Sequence, residues 1–87
     1  MGFFKRKFGV TLVRNSQGFA IVERRRLFRT NEIGARIFEL CDGKTSVAEM
    51  SNKLLKIYDV SNEELLQDVQ GYINTMLELN IVEEVQL

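Results

Sequence analysis

The run Asn31-Glu32-Ile33-Gly34-Ala35-Arg36-Ile37-Phe38-Glu39-Leu40-Cys41-Asp42-Gly43-Lys44-Thr45-Ser46-Val47-Ala48-Glu49-Met50 leaves this chain few folds to choose from. It reads as a helix, a tight Asp42-Gly43 turn and a second helix. The first helix spans about Glu32 to Cys41, with Asn31 or Thr30 as its cap. Ile33, Ile37, Leu40 and Cys41 fall at i, i+4, i+7 and i+8, one helical stripe. Gly43 can take the left-handed conformation that stops a helix. Ser46-Val47-Ala48-Glu49 is a capping box that opens the second helix. Its apolar positions are Val47, Met50, Leu54, Ile57 and Tyr58. Two connected helices of this kind need a further layer to cover their apolar stripes.

The residues before this run supply strands. Phe8 to Arg14 alternates Phe8, Val10 and Leu12 with Gly9, Thr11 and Val13, the period of a half-buried strand. Asn15-Ser16-Gln17-Gly18 is a hairpin loop, with Gly18 suited to a positive φ. The second strand is about Phe19 to Glu23, and Phe19-Ala20-Ile21-Val22 predicts burial on both faces. A turn at Glu23-Arg24-Arg25, without Gly or Asn, leads to a third strand at about Arg26 to Thr30.

After the run, Ser61-Asn62-Glu63-Glu64 has the form of another capping box and opens a third helix that reaches about Leu79. Its acidic first turn suits the positive end of the helix dipole. Asn80 is a left-handed stop, and Ile81 to Val85 reads as a short extended segment. At 100° per residue, Leu65, Leu66, Val69, Tyr72, Ile73, Met76, Leu77 and Leu79 cover an arc of about 160°, wider than the roughly 100° stripe a core-facing helix needs. Such a face either lines an apolar groove or is packed from two sides. The expected architecture is α+β: a three-stranded antiparallel N-terminal sheet followed by three helices, similar to a winged helix-turn-helix.

Composition narrows the function. With 87 residues the expectation is one domain, burying a little over ~60% of its unfolded surface. Apolar residues at 45% and charged residues at 28% describe a folded chain. No apolar run approaches the roughly 20 residues of a membrane span. Met1 to Lys7 lacks a signal-peptide core and reads as a flexible, solvated end, at most a weak membrane contact. There is no His, and Cys41 is the sole cysteine. The usual nucleophile, base and metal sets are therefore missing, and no catalytic residue, metal or cofactor is expected. The lone cysteine fits a reducing cytoplasm.

The net charge of zero hides an uneven distribution. Residues 1–36 carry nine Lys/Arg against two Glu, and residues 37–87 carry three Lys against ten Asp/Glu. A charged partner and self-complementary packing between the halves both account for such a split. Duplex DNA fits poorly. The second helix offers only Lys53 and Lys56, and Ser61 to Leu79 contains no positive charge to meet phosphate. A nucleic-acid-binding winged helix and a ligand-free structural homodimer are the alternatives to the reading that follows.

The motifs Thr30-Asn31-Glu32, Phe38-Glu39-Leu40-Cys41-Asp42-Gly43, Ser46-Val47-Ala48-Glu49, Ile57-Tyr58-Asp59-Val60 and Leu77-Glu78-Leu79-Asn80-Ile81-Val82, in this order and spacing, resemble the PqqD family, whose domain is also called the RiPP recognition element. The likeness covers nearly all the chain beyond residue 7. Two departures are Arg29-Thr30-Asn31, more basic than the usual lead-in, and Arg24-Arg25-Arg26, which replaces a turn containing Gly. The resemblance implies a non-catalytic peptide chaperone. Such a module binds the leader segment of a ribosomally made precursor as a strand beside the third strand and against the third helix. It then presents the peptide to a modifying enzyme, often a radical S-adenosylmethionine enzyme. On that basis the candidate peptide-binding residues are Arg26, Leu27, Phe28, Arg29 and Thr30 on the strand, with Leu65, Val69, Tyr72, Ile73 and Met76 on the helix. Each has a core alternative, the stronger reading for Leu27 and Ile73. Arg26 and Arg29 favour an acidic leader at encounter.

Overall fold

The computed structural model describes residues 2–85. Its elements are β1 (Phe3–Arg6), β2 (Thr11–Asn15), β3 (Gly18–Glu23), β4 (Arg26–Thr30), α1 (Glu32–Leu40), β5 (Asp42–Ser46), α2 (Val47–Leu55), α3 (Asn62–Glu78) and β6 (Val82–Glu84). The chain is α+β. The antiparallel meander β2-β3-β4 leads into the three helices.

The meander follows its turn chemistry. Asn15 pairs with Gly18, whose φ is +123°, and the Asn15 side-chain oxygen accepts from the Gln17 N–H at 2.8 Å. Glu23 pairs with Arg26 across the second turn. Without a glycine there, Arg24 itself takes φ +49°. Cross-strand register places Leu12, Ile21 and Phe28 in one row. That row packs on the buried α1 face formed by Ile37, Phe38 and Cys41. Val13 and Leu27 lie on the opposite face, and both are exposed.

Three expectations give way to a second sheet, ordered β5-β1-β6. The N-terminal segment read as flexible is its central strand, and Phe4 is buried; Met1 lies outside the described residues. Lys5 stands opposite Glu83 on one side and Asp42 on the other. Opposite charges facing across a ladder favour this register. The Asp42-Gly43 turn is also strand: Gly43 does take φ +81°, and residues 42–46 pair with β1. The first strand of the meander begins at Thr11, not Phe8. Gly9 has φ +84° and Phe8 is wholly exposed, so Lys7 to Val10 is a link between the sheets. Each of these partners is distant in sequence, and local periodicity carries no signal of it.

The helices start where their caps predict. Asn31 accepts from the Gly34 N–H at 2.8 Å. At Ser46 the capping box is complete, with Glu49 N–H to Ser46 Oγ at 3.1 Å and Ser46 N–H to Glu49 Oε1 at 3.0 Å. Ser61 accepts from Glu64 N–H at 3.1 Å. Asn80 ends the third helix with φ +61°. The carbonyl end of α1 receives its positive charge from another element. Arg6 of β1 donates to the Phe38 and Glu39 carbonyls, a favourable placement for a cation. Cys41 caps this helix, and burial pushes its thiol up to about 12.

Candidate peptide-binding edge

β4 lies at the border of its sheet. It pairs with β3 on one side, and no strand among the described residues pairs with the other. In an antiparallel ladder every second residue aims its N–H and C=O away from its neighbour, so this border presents unpaired backbone groups. The side chains divide by face. Arg26, Phe28 and Thr30 lie on the face that holds Ile21, while Leu27 and Arg29 lie on the other. Phe28 is half-buried against the core. Leu27 is 59% exposed, so it is not core. Arg29 is exposed and has no ion pair among the described residues.

The C-terminal half of α3 is tied by side-chain hydrogen bonds to the two ends of β4. At one end the Tyr72 hydroxyl donates to Asn31 Oδ1 at 3.0 Å, the same oxygen that caps α1. At the other, Arg26 Nη1 donates to the Leu79 carbonyl at 3.0 Å. The Arg26 guanidinium also pairs with Glu23, with Nε 2.8 Å from Oε1, and lies 5.1 Å from the Phe28 ring centre. The pins are seven residues apart on the helix, about 10 Å, and five apart on the strand side, about 16 Å.

Gly34 sets how closely the upper pin closes. A Cβ at this position would stand 2.0 Å from Thr30 Oγ1 and 3.0 Å from Tyr72 Cε1. Only a residue without a side chain lets the start of α1 meet both. Beside Tyr72, the outer surface of α3 holds a shallow depression of about 370 Å³ lined by Gln67, Asp68, Gly71, Tyr72 and Thr75.

The remaining candidates on α3 are elsewhere. Leu65, Val69, Ile73 and Met76 are 0–3% exposed and form part of the core. They have no surface to offer a peptide in this arrangement. The wide apolar arc is packed from more than one side: α1, α2 and β6 all lie against α3. Tyr72 alone of the five helix candidates keeps accessible surface, with Leu77 and Leu79 half-buried nearby. Asn31 and Gly34 were legible as a cap and a small residue of the first helix, but not as neighbours of Tyr72. Asn31 and Tyr72 are 41 residues apart, and nothing local links them.

Among the described residues no group of His, Cys, Asp and Glu is arranged to hold a metal. No described helix is long and apolar enough to cross a membrane.

Comparison with known proteins follows the same outline. A family model described as coenzyme PQQ synthesis protein D (PqqD) matches residues 20–82. No curated protein sequence matches the chain. Among solved structures, a lasso peptide synthetase B1 complexed with its leader peptide is 16% identical, with a TM-score of 0.79 over 92% of this chain and 96% of that one. TbiB1 in complex with the TbiA(beta) leader peptide is 14% identical, with a TM-score of 0.78 over 95% and 99%. The solution structure of a PqqD truncation of Methylobacterium extorquens PqqCD, described as a functional, stand-alone RiPP recognition element, is 17% identical, with a TM-score of 0.80 over 92% and 87%. At these identities the likeness establishes the fold.

Proposed function

This chain belongs to the PqqD family, and from that membership and the open border of β4 we propose that it binds the leader segment of a ribosomally made precursor peptide. The leader adds to β4 as a fourth strand. Its backbone satisfies the N–H and C=O groups that β4 leaves unpaired, and its alternate side chains meet Phe28 and Thr30 on one face and Leu27 and Arg29 on the other. Tyr72 forms the wall on the helix side. Leu65, Val69, Ile73 and Met76 act from beneath, holding α3 against the core at a set distance from the strand.

The protein itself is non-catalytic in this reading. It presents the bound precursor to a separate modifying enzyme, of which radical S-adenosylmethionine enzymes are one class. Two relatives of the same fold are described in complex with leader peptides, which supports the assignment. The single observation that carries it is that β4 is the border of its sheet with its outer side open.

The test is a titration of the labelled protein, followed by nuclear magnetic resonance, with a synthetic acidic leader-like peptide of alternating polar and apolar residues. Amide shifts concentrated at Leu27 to Thr30 and around Tyr72 are expected. Shifts confined to β1, β5 and β6 would overturn the assignment to β4.

A further inference from the structure

At the Arg26 end of β4 lies a cleft of about 720 Å³ at the β3–β4 turn, lined by Glu23, Arg24, Arg25 and Arg26 and by Phe8 and Gly9 from the link before β2. We propose that this cleft is an extension of the peptide site, taking a stretch of leader that carries carboxylates and an aromatic side chain just beyond the residues paired to β4. The proposal rests on the reading of β4 as a peptide-binding strand.

Four observations converge on it. The charges come first. Glu23 is engaged by Arg26, which also holds the Leu79 carbonyl. Arg24 and Arg25 have no ion pair among the described residues, so the cleft presents two uncompensated guanidinium groups. Such groups bind carboxylates through strong, directional hydrogen bonds. Second, Phe8 stands wholly in solvent at the rim. An exposed aromatic beside arginines offers stacking to another ring.

Third, Arg24 has φ +49°, a region that glycine enters at least cost. The turn gains nothing from an arginine there, and a strained residue of this kind points to use of its side chain. Fourth, the cleft is continuous with β4, because Arg26 is both the first residue of the strand and a wall of the cleft. A strand advances about 3.3 Å per residue, so two or three further residues of a bound peptide cover the turn.

A nucleic acid would also seek the arginines. It would need several phosphate contacts along its path, and α3 offers Glu63, Glu64, Asp68 and Glu78 with no cation. A peptide needs only the turn.

A displayed library of random peptides of roughly 16 residues spans strand and cleft together. Selection on the intact protein, followed by calorimetry with the synthesised winners, tests the proposal without knowing the natural leader. Winners are expected to place Asp or Glu and an aromatic residue beside an alternating segment. The double substitution Arg24→Gly with Arg25→Gln should weaken them about tenfold or more. It should leave the melting temperature unchanged or higher, since glycine suits the positive φ. Phe8→Ser should weaken them less. β4 amide shifts induced by the peptides should persist in each variant.

Unchanged affinity in these variants, with β4 shifts present, overturns the extension site and leaves the strand reading standing. Absence of β4 shifts, or a library without winners, overturns both. Random-sequence duplex DNA that displaces the peptides and shows the same sensitivity to Arg24 and Arg25 overturns the peptide assignment in favour of phosphate.

Discussion

At the scale of single residues, the two pins that align α3 with β4 also define what a bound peptide would meet. Arg29 is exposed on the face opposite Ile21, with no ion pair among the described residues, so its charge is open to a leader in the proposed reading. Arg29→Glu is expected to weaken leader binding, with the melting temperature within about 2 °C of the parent because an exposed, unpaired side chain contributes little to stability. Equal affinity in a titration would remove Arg29 from the site. Tyr72 is a pin to Asn31 and the proposed wall of the site. Tyr72→Ala should cost the complex more than about 1 kcal/mol if Tyr72 anchors the peptide, whereas Tyr72→Phe keeps the ring and loses only the bond to Asn31. A second residue-scale effect concerns acid. Asp42 accepts hydrogen bonds from the Lys44 N–H, the Thr45 N–H and the Thr45 hydroxyl. The Lys44 N–H chiefly holds its carboxyl below the usual range. A depressed folded value means the carboxylate stabilises the fold above its unfolded pKa of about 3.9. That contribution is lost as pH falls from there through the folded value. Asp42→Asn should therefore flatten the acid limb of the stability profile, measured by denaturant midpoints at a series of pH values. An acid limb identical to the parent's would show that Asp42 does not shape it.

At the scale of elements, most caps acted as written in the sequence; the Asp42-Gly43 turn became strand, and the Ser61 box is seen only as the bond from the Glu64 N–H. Ser46 with Glu49, Ser61, Asn31 and Asn80 each sit where their side chains or φ preferences put them, because a cap bonds within three or four residues. The strands divide differently. The meander was legible because its partners are joined by short turns. β1 was not, because it lies between β5 and β6, one reached through residues 42–46 and the other through residues 82–84. The misread matters for stability. Phe4 is 7% exposed in the core, on a strand that pairs with residues 42–46 on one side and 82–84 on the other. Phe4→Ala is expected to destabilise the fold by about 3 kcal/mol or more. A loss below ~1 kcal/mol in chemical denaturation would mean that β1 is peripheral. The same packing explains the α3 candidates. A helix covered by α1, α2 and β6 spends its apolar arc on the core and leaves Tyr72 at the rim.

At the scale of the whole molecule, charge is organised in two layers. Lys5 stands in register with Glu83 and Asp42 in the second sheet, whereas Arg14, Arg24, Arg25 and Arg29 of the meander have no ion pair among the described residues. An acidic leader should therefore associate faster at low salt, and stopped-flow rates should fall as ionic strength rises through the range where the screening length drops to about 8 Å. Rates flat across that range would show that encounter is not steered. The sequence by itself determined the α+β class, the meander, the helix starts and the family likeness. Those depend on residue chemistry, on contacts a few positions apart, or on motif order. Only the tertiary structure decided which side of α3 is covered, that the N-terminus is a strand, that Leu27 faces solvent, and that Asn31, Gly34 and Tyr72 meet. Each of those follows from which distant segments pack together, and the border of a sheet exists only once its other strands have been placed.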